Sequence, residues 1–298
     1  MHAPATPTLT TFHVGDIRID RIVEMEIPFR SVEDSYAGVD RAAFEAARAS
    51  FEPWALEPGS EKLVLAIQTY LIRTPHHVIL VDTCVGCDKT SLFFSGWHQR
   101  TDDVWLRRLA AAGVPPEAVD YVFCTHLHSD HCGWNTRLLN GRWIPTFPNA
   151  TYVMAQDEIA PIQANADSGN ATATYTESIL PVIEANQARL VSGDYALDDH
   201  VWLEPTGGHT PGHVAVRLRS NGQEAVLCGD LIHSPLQCAF PDWRYRLDWD
   251  AEQGVATRKR FLEAAAEARR PVLTAHFPSP SMGYVQPDGD AWRFEFIA

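Results

Sequence analysis

The sequence predicts a layered α/β domain. Three observations carry that reading. Strand-like stretches come in runs with helical stretches interleaved between them, which fits packed layers better than an all-α or all-β plan. The residues with metal-binding or acid–base chemistry sit just past the ends of those strands, where sheet-based enzymes place their sites. Finally, 298 residues with 45% hydrophobic and 21% charged content suffice for one large domain with a sizeable core.

The elements follow in order. Residues 1–10 are rich in Pro and Thr and read as a loose tail. Phe12–Ile27 alternates as strands do, with a turn at Val14-Gly15-Asp16. Residues 38–56 read as a helix with Ala42, Phe44, Ala47 and Phe51 on its apolar face, ended by Pro53 and Pro58. This stretch, about 38–58, is an insertion that could act as a lid or dimer arm. Leu63–Arg73, Val78–Val81 and Asp120–Cys124 are strands, and Asp102–Ala112 is a helix stopped by Gly113. Downstream, Val201–Leu203 is a strand. Val214–Leu218 and Glu224–Cys228 form a hairpin around Asn221-Gly222. Thr257–Ala268 is an amphipathic helix, Pro271–Thr274 a short strand and Trp292–Ile297 a last strand. Two halves of similar plan, about 10–190 and 191–298, pack as a single domain over 11–298.

Bulk properties exclude several classes. Formal net charge is −14, from 24 basic and 38 acidic residues, so nucleic acid and anionic membranes are excluded as general partners. Six cysteines are too few for a disulfide scaffold of this length. Cys84-x-x-Cys87 reads as a turn after a strand, since no second pair completes a zinc site. The N-terminus has no basic region followed by an apolar one, and no run is long enough to span a bilayer. A cytoplasmic protein with reduced thiols is expected.

The chemistry is concentrated in Thr125-His126-Leu127-His128-Ser129-Asp130-His131. Imidazole and carboxylate are ligands for zinc and related divalent ions. In an extended or turn backbone His126 and His128 project to the same side and can share one metal, while Asp130 and His131 can take a second. Two metals need more ligands than this segment holds. His209 in GGHTPGH, Asp230 in LCGD and His276 in LTAH each follow a strand and can supply them. His213 competes with His209 for that role.

These motifs, in this order, resemble the metallo-β-lactamase superfamily, over roughly residues 12–297. The resemblance implies an αββα sandwich, with two mixed β-sheets flanked by helices. It implies His126, His128 and His209 on one metal, Asp130, His131 and His276 on the other, and Asp230 bridging both. It places Asp82 of the Asp82-Thr83 pair behind the ligands as support, with Thr210 and His213 in similar positions. Diiron oxygen-reducing members carry glutamate where this chain has His128, which disfavours oxidoreductase chemistry. True β-lactamases usually lack the bridging aspartate, and the C-terminal strand differs from the helical region of glyoxalase II enzymes. What remains is similar to the lactonase and methyl-parathion-hydrolase branches. Lactonases place a tyrosine where this chain has His233.

The expected activity is therefore hydrolysis of an ester-type bond (lactone, carboxylic ester or phosphotriester) by a hydroxide shared between two divalent ions, zinc first, with manganese, cobalt or iron as alternatives. Asp130 is the expected proton acceptor, and His233 is a candidate to orient substrate or protonate the leaving group. A diiron oxidoreductase and a non-catalytic metal-binding protein of the same fold are the competing readings. Nine tryptophans and thirteen phenylalanines are available to line a pocket. Trp134, Phe93, Phe94 and Phe240 lie nearest the motifs, with Trp243 beside them, and point to a small-molecule substrate with an apolar or aromatic part. Gln237–Trp249 is expected to loop over the site. A second copy of the chain, as a homodimer, is the expected protein partner.

Overall fold

The structure, a computed structural model, describes residues 10–52 and 54–297. Of the expected tail only Thr10 falls within it, and Thr10 opens the first strand. Pro53, expected to end the first helix, lies outside the described residues.

Two sheets pack face to face. The first has seven strands in the order Thr10–Val14, Ile17–Ser31, Lys62–Arg73, Val78–Val81, Tyr121–Phe123, Thr151–Ala155 and Ala188–Val191. Its first four strands pair antiparallel and the rest parallel. The second has six, in the order Val201–Pro205, Val214–Ser220, Gln223–Leu227, Pro271–Leu273, Met282–Asp288 and Ala291–Phe296. All its pairs are antiparallel except Gln223–Leu227 with Pro271–Leu273.

Side-chain alternation explains the layers. Ile79, Val81, Phe123 and Val153 pack between the sheets against Val216, Leu218, Leu227 and Leu273. Their strand neighbours Leu80, Val122, Tyr152 and Met154 face the helices outside the first sheet. Ala215, Val226 and Val272 face the helix Ala251–Glu267 outside the second. Strands covered on both faces must be apolar throughout, which is why they read as unbroken hydrophobic runs. The result is the expected αββα sandwich.

Local chemistry fixes the ends. Asn221 and Gly222 both have positive φ (50° and 74°) and form the expected hairpin turn. The expected helix over 38–56 is Arg41–Phe51, with the Asp40 side chain accepting from Ala43 N. A short helix Val32–Ser35 and a two-residue strand Tyr36–Ala37 precede it. That strand pairs with Arg244–Tyr245, which docks the start of this segment on the 236–250 stretch. The helix expected from Thr257 starts earlier, at Ala251, because Asp250 caps it from Glu252 N and Gln253 N. Among the described residues no helix is long and apolar enough to cross a membrane.

Candidate metal centre

The site is built where strands of both sheets end. Val78–Val81 runs into Asp82, whose φ of 59° turns its carboxylate back across the sheet edge. There it accepts from Thr125 N at 2.8 Å and Thr125 Oγ1 at 2.9 Å, and from His131 Nδ1 at 2.9 Å. His276 follows Pro271–Leu273 and donates Nδ1–H to Ala66 O at 2.9 Å. His209 donates Nδ1–H to Asp248 Oδ1 at 2.9 Å. His126 Nδ1 lies 3.2 Å from Thr125 Oγ1, whose own proton goes to Asp82.

These bonds fix which ring nitrogen is bare. With Nδ1 committed in His126, His131, His209 and His276, Nε2 is the atom each ring turns toward the cluster and the one that would carry the lone pair for a metal, a tautomer assignment drawn from the hydrogen-bond network. The bare nitrogens converge. His128 Nδ1 lies 3.0 Å from His126 Nε2 and 3.1 Å from His209 Nε2. His131 Nε2 and His276 Nε2 are 3.2 Å apart. A tetrahedral zinc with Zn–N of 2.0–2.1 Å sets its nitrogens about 3.3 Å apart. Asp230 divides its oxygens between the two groups: Oδ1 is 2.9 Å from His276 Nε2, and Oδ2 is 3.3 Å from His209 Nε2. Asp130 Oδ2 completes the second group, 3.7 Å from His276 Nε2. Two clusters result, His126, His128, His209 and Asp230 in one and Asp130, His131 and His276 in the other.

Electrostatics agrees with cation binding. Burial pushes His128 and His209 down to about 3 and His126 well below its ordinary value. These rings are neutral at neutral pH, the form a metal needs. Three neutral ring nitrogens turned toward one another, with an Asp230 oxygen beside them, form a donor set that suits a divalent cation. Burial also opposes charge on His131 and His276, but the carboxylates led by Asp230 outweigh it and hold both above the usual range.

The supporting residues are equally buried. His213 accepts Asp230 N–H on Nε2 at 2.9 Å and bonds Thr206 Oγ1 through Nδ1 at 2.8 Å, so it steadies the Asp230 backbone and faces no ligand cluster. Gly229 has φ of 51°, and a Cβ there would come within 2.6 Å of His213 Nε2, so only glycine fits before Asp230. Thr210 is buried beside His209. His233 is buried with Nε2 3.2 Å from Asp230 Oδ2, and its ring stacks on Tyr245 at 3.6 Å between centroids.

A cleft of about 390 Å³ opens over the clusters, with Asp130, Asp230 and His276 on its floor. Phe29, Phe93, Trp97, Ile162, Tyr245 and Leu247 form much of its wall. Of the aromatics expected there, Phe93 lines it. Phe94 does not. It packs one ring back on Phe29 and Trp97, each at 5.3 Å. Trp134 is also not in the wall: it stacks on Trp105 at 5.7 Å and donates to Glu24 Oε1 at 2.7 Å inside the core. Phe240 stacks on Trp243 at 4.3 Å, away from the cleft. Proximity to a motif in sequence placed these rings beside the site but on the wrong side of the backbone. The 237–249 stretch is one helical turn, Leu236–Ala239, then the short strand Arg244–Tyr245, and only its end reaches the cleft. Asp248, Tyr245 and Leu247 were not singled out by the sequence. Cys84 and Cys87 occupy a turn after a strand, with positive φ at Cys84 and Gly86.

An αββα sandwich with two carboxylate-linked ligand clusters at one edge defines a protein built to hold a pair of divalent ions. The chain belongs to the metallo-beta-lactamase superfamily, whose sequence profile matches residues 64–269. Among curated proteins it is similar to an N-acyl homoserine lactonase of Bacillus sp, 29% identical over 233 residues, covering 74% of this chain and 84% of the relative. The N-acyl homoserine lactonase of Bacillus cereus is 25% identical, with the same coverage. Among solved structures it resembles the hydrolase AbOPH of the beta lactamase superfamily (TM-score 0.80, 24% identity, 97% of each chain). It also resembles AidC, a dizinc quorum-quenching lactonase bound to its N-hexanoyl-homoserine product (TM-score 0.79, 21% identity, 97% of this chain and 98% of that one).

Proposed function

We propose that the protein is a two-metal hydrolase that opens ester-type bonds in small, uncharged molecules with an apolar tail, and that N-acyl homoserine lactones are the first class to test. The observation that carries this is Asp230, whose two oxygens face separate nitrogen clusters at the base of an apolar cleft. The lactonase names of the curated relatives support the substrate class.

His126, His128 and His209 would hold one cation and Asp130, His131 and His276 the other, with Asp230 offering an oxygen to each group. Zinc is the metal we assign, on the nitrogen-rich donor set. When bound, the pair supplies polarisation of the scissile carbonyl and a water acidified enough to attack it at neutral pH. The protein's own groups do the rest. Asp130 faces the cleft, and a carboxylate there can accept the proton of the attacking water and return it to the departing alkoxide as the carbon–oxygen bond breaks. Phe29, Phe93, Trp97 and Leu247 take the apolar tail, each buried methylene adding about 0.8 kcal/mol. His233 is buried 3.2 Å from Asp230 Oδ2 and does not line the cleft, so the expected role of orienting substrate or protonating the leaving group is not assigned to it. The −14 charge of the chain disfavours anionic substrates and favours release of a carboxylate product.

The test is a panel of acyl homoserine lactones, aryl esters and phosphotriesters assayed with zinc-loaded protein, with and without chelator. Chelator-sensitive lactone opening supports the reading. A zinc-loaded protein inactive on all three classes contradicts it.

A further inference from the structure

Glu158 is a buried carboxylate that the proposed chemistry does not use. It lies in the first turn of the helix Gln156–Asp167, directly after the first-sheet strand Thr151–Ala155. Its oxygens serve two different loops. Oε1 accepts Leu127 N–H at 3.1 Å, and Oε2 accepts Gly212 N–H at 3.0 Å. Leu127 sits between His126 and His128, in the loop that leaves the first sheet. Gly212 lies three residues after His209, in the loop that enters the second sheet at Val214.

One side chain therefore joins the two ligand loops across the seam between the sheets. The three nitrogens of the first cluster come from both loops: His126 and His128 from one, His209 from the other. The 3.1 Å separation between His209 Nε2 and His128 Nδ1 spans the two loops and depends on their spacing. A backbone bond from Val214 N to Thr125 O begins the junction at the strand ends, and Glu158 carries it to the ligands. The packing is tight: a Cβ on Gly212 would come within 2.3 Å of Glu158 N, so that loop rests directly on the start of the helix.

We propose that Glu158 is a positioning residue for the first metal, a clamp that sets the distance between the HLH and HTPGH loops. The inference rests on the two-metal reading above. The clamp needs a carboxylate because both partners are donors. An amide offers one acceptor and turns its NH2 toward the other N–H, leaving a donor unpaired.

Zinc binding measured by competition with a chromophoric chelator tests this. The expected result for Glu158→Gln is a loss of about 10- to 100-fold in affinity for one of two ions, the usual cost of removing support behind a ligand, with the other unchanged. In a His276→Ala background, where the first cluster is the one left intact, the weakening persists. In a His209→Ala background it disappears. Glu158→Asp, which keeps both acceptors on a shorter stem, shows the same selective loss and decides the matter if the Gln variant does not fold. Folded variants that bind both ions as tightly as wild type overturn the clamp, as does equal weakening of both ions alongside a lower melting temperature. Wild-type protein that takes up no zinc defeats the two-metal reading itself, a separate failure visible in the control arm.

Discussion

Asp248 Oδ1 accepts the Nδ1 proton of His209 at 2.9 Å, and both side chains are almost fully buried. Asp248 belongs to the segment whose Tyr245 and Leu247 line the cleft, so one short stretch both shapes the substrate wall and orients a metal-facing ring. Burial pushes the Asp248 carboxyl up to about 6, which leaves it ionised at neutral pH and able to hold His209 in one tautomer.

Asp248→Asn replaces that acceptor with an amide that can turn a donor toward His209. We expect a folded protein with zinc affinity reduced about 10- to 100-fold. Chelator competition reads this directly, and unchanged affinity would show that His209 is held by packing alone.

Metal removal should be reversible. Dialysis against chelator is expected to abolish ester and lactone hydrolysis while the circular dichroism spectrum persists, because the layered core does not depend on the ligand loops. Zinc should restore activity. Activity that survives complete removal would exclude the proposed chemistry.

The cleft wall predicts a chain-length effect. Phe93→Ala removes a ring at the mouth, so KM for a long-acyl substrate should rise about tenfold, while a short-acyl one changes little. The scale is set by about 0.8 kcal/mol per methylene left unburied. Equal effects on both chain lengths would move the acyl site elsewhere.

Trp134 gives the opposite pattern. Trp134→Phe removes the donor to buried Glu24, which costs about 1–3 kcal/mol of stability. Thermal or denaturant unfolding should register that loss with KM unchanged. A raised KM at unchanged stability would return Trp134 to the substrate pocket.

Lys89 gives a pH signature. Burial pushes its ammonium down to about 7, from an ordinary 10.5, between Thr136 Oγ1, Glu177 O and the Trp143 ring. Between those two values the unfolded chain binds a proton that the folded one does not. Folding stability from this group therefore rises with pH across that window. Lys89→Met should flatten the rise, as read by denaturant unfolding at about pH 7 and about pH 9. Parallel profiles for the two proteins would contradict it.

The metal-facing residues were legible for local reasons. His126, His128, Asp130 and His131 are packed into one short segment, and His209, Asp230 and His276 each mark a strand end. Asp248 carries no such mark, because its contact with His209 spans 39 positions and exists only after the 244–250 segment folds back. The cleft wall was the least legible part. A ring's side of the backbone is decided by local turns, as at Gly133, where a Cβ would collide with Val85 O and the chain swings Trp134 into the core. The helix Gln156–Asp167 was hidden by Pro161 within it and by a weak apolar stripe. The early start of Ala251–Glu267 was obscured by Gly254, although Asp250 supplies the cap.

The central claim is a pair of metal ions joined by Asp230, and metal stoichiometry tests it most directly. Elemental analysis of zinc-reconstituted protein should give about two ions per chain in wild type, and about one in His209→Ala and in His276→Ala, as a two-metal site requires. Wild-type protein that retains no divalent metal after reconstitution would contradict the account.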